Sequence, residues 1–93
     1  MTQVYYHKQF TKEFKKLPLR IQKKLVILES LFSLSPFHPE LHTKKLQREL
    51  QHLYSFRITR DYRVVFQLIA TEEALFLSVR QRRDIYRAGW RSC

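Results

Sequence analysis

Arg57, Arg63 and Arg80 each stand on the polar side of a segment whose apolar residues alternate with a period of two. Tyr54, Phe56 and Ile58, then Val64, Phe66 and Leu68, then Leu75, Leu77 and Val79 would share one face of three strands. Ser55 and Arg57, then Arg63, Val65 and Gln67, then Ser78 and Arg80 would share the other. A first hairpin turning through Thr59, Arg60 and Asp61 sets Arg57 across from Arg63, and a second turning from Ala70 to Glu73 sets Arg63 across from Arg80. Like charges directly opposed on neighbouring strands are destabilising, so a row of three points to a surface that binds anions. Guanidinium stays charged at any working pH and offers phosphate a rigid fork of donors, so the row can bind and polarise a phosphodiester. A solvated face of an antiparallel sheet is the plainer alternative.

The densest basic stretch runs from Arg80 to Trp90 and interleaves Arg82, Arg83 and Arg87 with Tyr86 and Trp90. Aromatic planes stack on unpaired bases while arginines hold the backbone, a pairing suited to single-stranded RNA. Packing on the core is the preferred reading for Trp90, and for Tyr86 the two readings stand level. His7, His38, His42 and His52 show no metal-ligand spacing and no accompanying carboxylate cluster, so no metal and no cofactor is expected. His52, Glu49 and, less readily, Glu40 are the candidate general bases. No phosphate-binding glycine loop, nucleophile elbow or dinucleotide fingerprint is present.

These side chains need a scaffold, and the remaining pattern supplies one. Residues 2–6 read as a short strand, after which Phe10, Phe14 and Leu17 recur at helical spacing. Pro18 breaks the chain and suits the first turn of a second helix carrying Ile21, Leu25, Leu28 and Phe32 on one face. The two segments form a helical hairpin, with Lys12, Lys15, Lys16, Lys23 and Lys24 facing water or guiding RNA. Ser33 to His42, with Pro36 and Pro39, is the connecting loop. The expected fold is α+β: an N-terminal strand and helical hairpin packed on an antiparallel sheet, with a short helix within 84–91.

Ninety-three residues suffice for one domain, 1–93, and the apolar share of 44% is ordinary for a globular chain. Cys93 is the only cysteine, so no intrachain disulfide forms. No apolar run spans a membrane or resembles a signal peptide, and a cytoplasmic location without membrane association is expected. Eighteen Lys and Arg against eight Asp and Glu give a net charge of +10, which calls for a polyanionic partner.

The strings from Lys45 to Leu50, Leu53 to Ile58, Asp61 to Phe66 and Arg82 to Arg87, in that order, resemble the RelE/ParE toxin superfamily. Phe10, Phe14, Lys15, Lys16, Leu17 and Pro18 match the helical hairpin of the same family, so the likeness covers nearly the whole chain. The resemblance implies a toxin of a type II toxin–antitoxin system, partnered by a cognate antitoxin. RelE-like members enter the ribosome and cut mRNA without a metal, by attack of a ribose 2′-OH on the adjacent phosphate. On motif position, Arg63 and Arg80 would stabilise the phosphate, Tyr86 would orient or stack the substrate, and Arg57 would help activate the hydroxyl. Lys45, Arg60, Arg82, Arg83 and Arg87 would hold the RNA around them. Ser55 stands where RelE-like enzymes can carry a lysine and Gln81 where many relatives have a histidine, which leaves the base unassigned. Two alternatives follow: a DNA gyrase poison of the ParE type, or an RNA-binding module without nuclease activity.

Overall fold

The computed structural model describes residues 1–46 and 52–87, with Tyr86 and Arg87 described through their backbone alone. Strand β1 (Gln3–Tyr6) leads into helices α1 (Lys8–Lys15) and α2 (Leu19–Leu34). A 3₁₀ turn (Pro39–Leu41) and a two-residue strand β2 (Lys44–Lys45) follow. Then come β3 (Leu53–Arg57), β4 (Tyr62–Ala70), β5 (Glu73–Gln81) and a short helix α3 (Arg82–Arg87). The strands form one sheet in the order β1-β5-β4-β3-β2. Neighbours β2 to β5 pair antiparallel, whereas β1 joins β5 in parallel. The parallel pair is possible because the helical hairpin and the strands after it supply the long connection that such a pairing requires.

Pro18 caps α2 from outside its first turn, and its carbonyl accepts from the N–H groups of Ile21 and Gln22. The stripe it starts is the expected one: Ile21, Leu25 and Phe32 are buried, and Leu28 packs beside them. Phe10 adds the α1 contribution. Phe32 lies at the centre, its ring 4.8 Å from that of Phe66, 5.0 Å from Phe76 and 5.4 Å from Phe56. Edge-on and tilted ring pairs of this kind add to the large apolar area each ring removes from water.

The helix-facing set on β5 differs from the one that strict alternation predicts. Val65 pairs with Ser78 but the next residue, Phe66, pairs with Phe76, so Leu77 is the extra residue of a β-bulge. The added residue inverts the alternation as far as a second, compensating register shift between Leu68 and Ala70. Ala74, Phe76 and Val79 therefore face the helices, and Leu75 and Leu77 do not. Leu77 instead packs with Leu46, Leu53, Val65 and Ile85 in a second, smaller core on the opposite face. Ile85 belongs to α3, so this helix lies across the sheet from the helical hairpin, and it starts at Arg82. Trp90 and Cys93 lie outside the described residues.

Candidate functional site

Two tight turns fix the sheet register that matters. The β3–β4 hairpin closes with the Tyr62 N–H donating to the Thr59 carbonyl, and the β4–β5 hairpin closes at the Ala70–Glu73 pair. Arg57 is paired with Arg63, and Arg63 with Arg80, the row expected from the turn positions, the second pair keeping that register because the two shifts along β4–β5 cancel.

Arg63 is only 5% exposed. Its Nε donates to the Ser55 hydroxyl at 3.1 Å and its Nη2 to the His42 carbonyl at 3.1 Å. Ser55 is itself buried, and its small hydroxyl accepts where a lysine would press a second cation against the guanidinium. His42 ends the 3₁₀ turn in the left-handed region, at φ 48°, and its carbonyl meets the arginine. A buried charge is tolerable when it is hydrogen-bonded in this way.

Beside Arg63 lies a cleft of about 240 Å³, and the described residues that line it are all cationic: Lys44, Arg57, Arg60, Arg63 and Arg82. Arg60 comes from the β3–β4 turn, and the Arg82 N–H donates to the Asp61 carbonyl at 2.7 Å, which ties the start of α3 to that turn. The Nε of Arg57 is buried and has no hydrogen-bond partner among the described residues. A buried donor left unmade costs about 1–3 kcal/mol. Such a cost is recovered when an anion enters and accepts the bond.

Arg80 turns the other way. Its Nε pairs with the carboxylate of Glu13 on α1, at a larger groove between α1, the end of β5 and the start of α3. That groove, about 840 Å³, also exposes Lys12, Lys16, Tyr62 and Arg83. The row of three is therefore divided: Arg57 and Arg63 line one cavity and Arg80 the other.

The other expected site residues fall as follows. Arg60 and Arg82 join the cationic cleft, and Arg83 lines the groove of Arg80. Lys45 pairs with Tyr54, whose ring belongs to the helix-side core, so it is the preceding Lys44, paired with Ser55, that reaches the cleft. Without the register of β2, two adjacent lysines in the sequence are indistinguishable. Tyr86 and Arg87 are on α3, and their side chains lie outside the described residues, as does all of Glu49. His52 precedes β3 at the end away from Arg57, about 16 Å along an extended strand, and is not part of the cleft. Glu40 and His42 share a neighbouring cleft with Arg57 and Arg60, which brings a carboxylate and an imidazole to this rim. Gln81 donates to the Tyr62 hydroxyl at 3.4 Å. Sequence reading missed Glu13 altogether; the only signal was one acid among the lysines of α1.

Among the described residues no three His, Cys, Asp or Glu side chains group as metal ligands, and no helix is long and apolar enough to cross a membrane. The fold and the cleft together define a basic α+β domain suited to receiving an anion at the rim of its sheet.

Solved structures share this architecture. The chain is similar to the RelB–RelE antitoxin–toxin complex from Methanococcus jannaschii, at 22% identity, covering 90% of this chain and 96% of that one with a TM-score of 0.74. It is also similar to the E. coli DinJ–YafQ toxin–antitoxin complex, at 17% identity, covering 91% and 97% with a TM-score of 0.76. A third relative is the toxin–antitoxin complex RelBE2 from Mycobacterium tuberculosis, at 25% identity, covering 87% and 98% with a TM-score of 0.71. No curated protein matched the sequence. The family model described as the ParE toxin of the type II toxin–antitoxin system, parDE, matches residues 4–86. The chain belongs to that family, and is a type II toxin of the RelE/ParE superfamily.

Proposed function

We propose that this toxin is a metal-independent endoribonuclease that cuts mRNA on the ribosome in the cytoplasm. The observation that carries the reading is the all-cationic described lining of the cleft, which includes Arg57, whose buried Nε has no hydrogen-bond partner among the described residues. Cleavage by the ribose 2′-OH needs three things: activation of the hydroxyl, stabilisation of charge on the phosphate and protonation of the leaving oxygen. Arg63, locked by Ser55 and His42, is preorganised to face a phosphate, and Arg57 supplies a donor beside it. Arg80, held by Glu13, serves the neighbouring groove, and Tyr86 is the residue for stacking or orienting the base. Lys44, Arg60, Arg82, Arg83 and Arg87 hold the strand. Glu40 and His42 are the candidates to accept the hydroxyl proton, because they share a cleft with Arg57.

Poisoning of DNA gyrase is the second reading, supported by the ParE family model that matches the chain. In either case the partner is a cognate antitoxin with acidic character, which blocks the cationic rim by bulk and charge.

The test is translation in a purified bacterial system with mRNA 5′ ends mapped by primer extension. Arg57→Ala is the control variant, since Arg63→Ala would remove a buried, hydrogen-bonded group and unsettle the fold as well as the chemistry. New ribosome-dependent ends with wild type, absent with Arg57→Ala, are expected. Intact message together with blocked gyrase supercoiling would decide for the second reading.

A further inference from the structure

We propose that Glu13 is a positioning residue that holds Arg80 as a second phosphate station, in the groove beside the cationic cleft. The proposal rests on the RNA-directed reading above and deepens it.

Strand β1 covers β5 only as far as the Tyr6–Phe76 pair, so beyond that point β5 has an open edge, and α1 lies along it. Glu13 fills the gap. Its Oε1 accepts from the Ser78 hydroxyl at 2.7 Å and from the Val79 N–H at 3.2 Å, an edge donor that β1 does not reach. Its Oε2 accepts from Arg80 Nε. The carboxylate is thus fixed from two sides and is only 13% exposed, while the Arg80 side chain remains 35% exposed.

Among the described residues, Arg80 donates to Glu13 alone and through Nε alone. Guanidinium carries five donors in a rigid plane, so anchoring Nε leaves the two Nη groups to form the bidentate pair that phosphate accepts. Arg80 lines a groove shared with Lys12, Lys16 and Arg83 and with the carboxylate of Asp84. The same anchor draws Arg80 away from Arg63, its neighbour in the register, and relieves a like-charge pair. One strand of RNA crossing the rim would then meet Arg57 and Arg63 at one phosphate and Arg80 at another.

The sign of one measurement separates positioning from simple charge. Binding of a single-stranded RNA oligonucleotide to the intact protein is followed by fluorescence anisotropy over a salt series, with thermal melting of every variant as a folding control. Arg80→Ala should bind about tenfold more weakly, and its log–log salt slope should be shallower by about 0.7. Glu13→Gln removes a negative charge, so charge alone would tighten binding. Positioning requires instead that Glu13→Gln weaken binding towards the Arg80→Ala level, and that it weaken nothing further once Arg80 is already alanine. Tighter binding by Glu13→Gln, or equal weakening in both backgrounds, overturns the proposal. Should Glu13→Gln not fold, Arg80→Lys carries the test, because an ammonium keeps the charge but cannot hold the carboxylate and fork a phosphate together. Wild-type affinity and slope in Arg80→Lys also overturn it. Absence of RNA binding by the wild type is a different outcome, which removes the RNA reading itself and this proposal with it.

Discussion

Ser55→Ala is the most direct test of how the buried arginine is held. The hydroxyl is the acceptor for Arg63 Nε at 3.1 Å, and serine and arginine are 3% and 5% exposed. Alanine removes the acceptor and leaves almost no room or water to replace it. A hydrogen bond to a charged group contributes about 1.5–3 kcal/mol, so a loss near 2 kcal/mol is expected. For a domain of this size that corresponds to a fall of about 8–16 °C in melting temperature. Circular dichroism melts and urea unfolding give the number. Repeating the substitution in an Arg63→Met background closes a double-mutant cycle. There Ser55→Ala should cost less than about 0.5 kcal/mol, since the donor it served is gone. An equal loss in both backgrounds would show that Ser55 contributes through packing and not through Arg63, and the account of the locked guanidinium would be wrong.

Other substitutions test the remaining parts of the structure. Arg57→Ala should leave the melting temperature unchanged or raise it, because it removes a buried donor that has no partner among the described residues and a like-charge neighbour, while RNA cleavage is lost; a clear fall in melting temperature would contradict this. His52 holds φ at 64°, where only glycine avoids the side-chain clash, so His52→Gly should stabilise by about 1 kcal/mol in urea unfolding. Phe32→Ala, at the centre of the aromatic core, should cost about 3–5 kcal/mol and bring the domain close to unfolding, read as a collapse of the urea midpoint. Partial burial, then the hydrogen bond and charge of Glu29, hold the Tyr6 phenol above its ordinary value of 10.0. The unfolded chain therefore releases that proton first, and stability should fall as pH rises past about 10. Melts at pH 9 to 11 should show this decline in wild type and a flatter one in Tyr6→Phe.

The two hairpins show what the sequence settles unaided. Strand alternation has a period of two and the turns through Thr59–Asp61 and Thr71–Glu72 are short, so counting aligns Arg57 with Arg63, and it aligns Arg63 with Arg80 because the two register shifts of the β4–β5 pair, at Val65/Phe66 and Leu68/Ala70, cancel. The α2 stripe follows from helical spacing in the same way, and the order of basic and aromatic strings sufficed for the family. Counting fails where one residue is inserted. The bulge at Leu77 exchanges the faces of Leu75 and Leu77 for those of Ala74 and Phe76, and so adds Leu77 to the second core of Leu46, Leu53, Val65 and Ile85. Local sequence does not mark it, because the unbroken apolar run Ala74-Leu75-Phe76-Leu77 reads the same in either phase.

Lys44 and Lys45 were likewise separable only by the pairing of β2 with Ser55 and Tyr54. The direction of each arginine was beyond the sequence altogether. Arg63 bends to Ser55 and His42, and Arg80 to Glu13, contacts spanning eight, 21 and 67 residues of chain. Register places a guanidinium on a face, but which acceptor it finds depends on the elements that pack against that edge. The sequence determined that three arginines align; the tertiary structure divided them between two cavities.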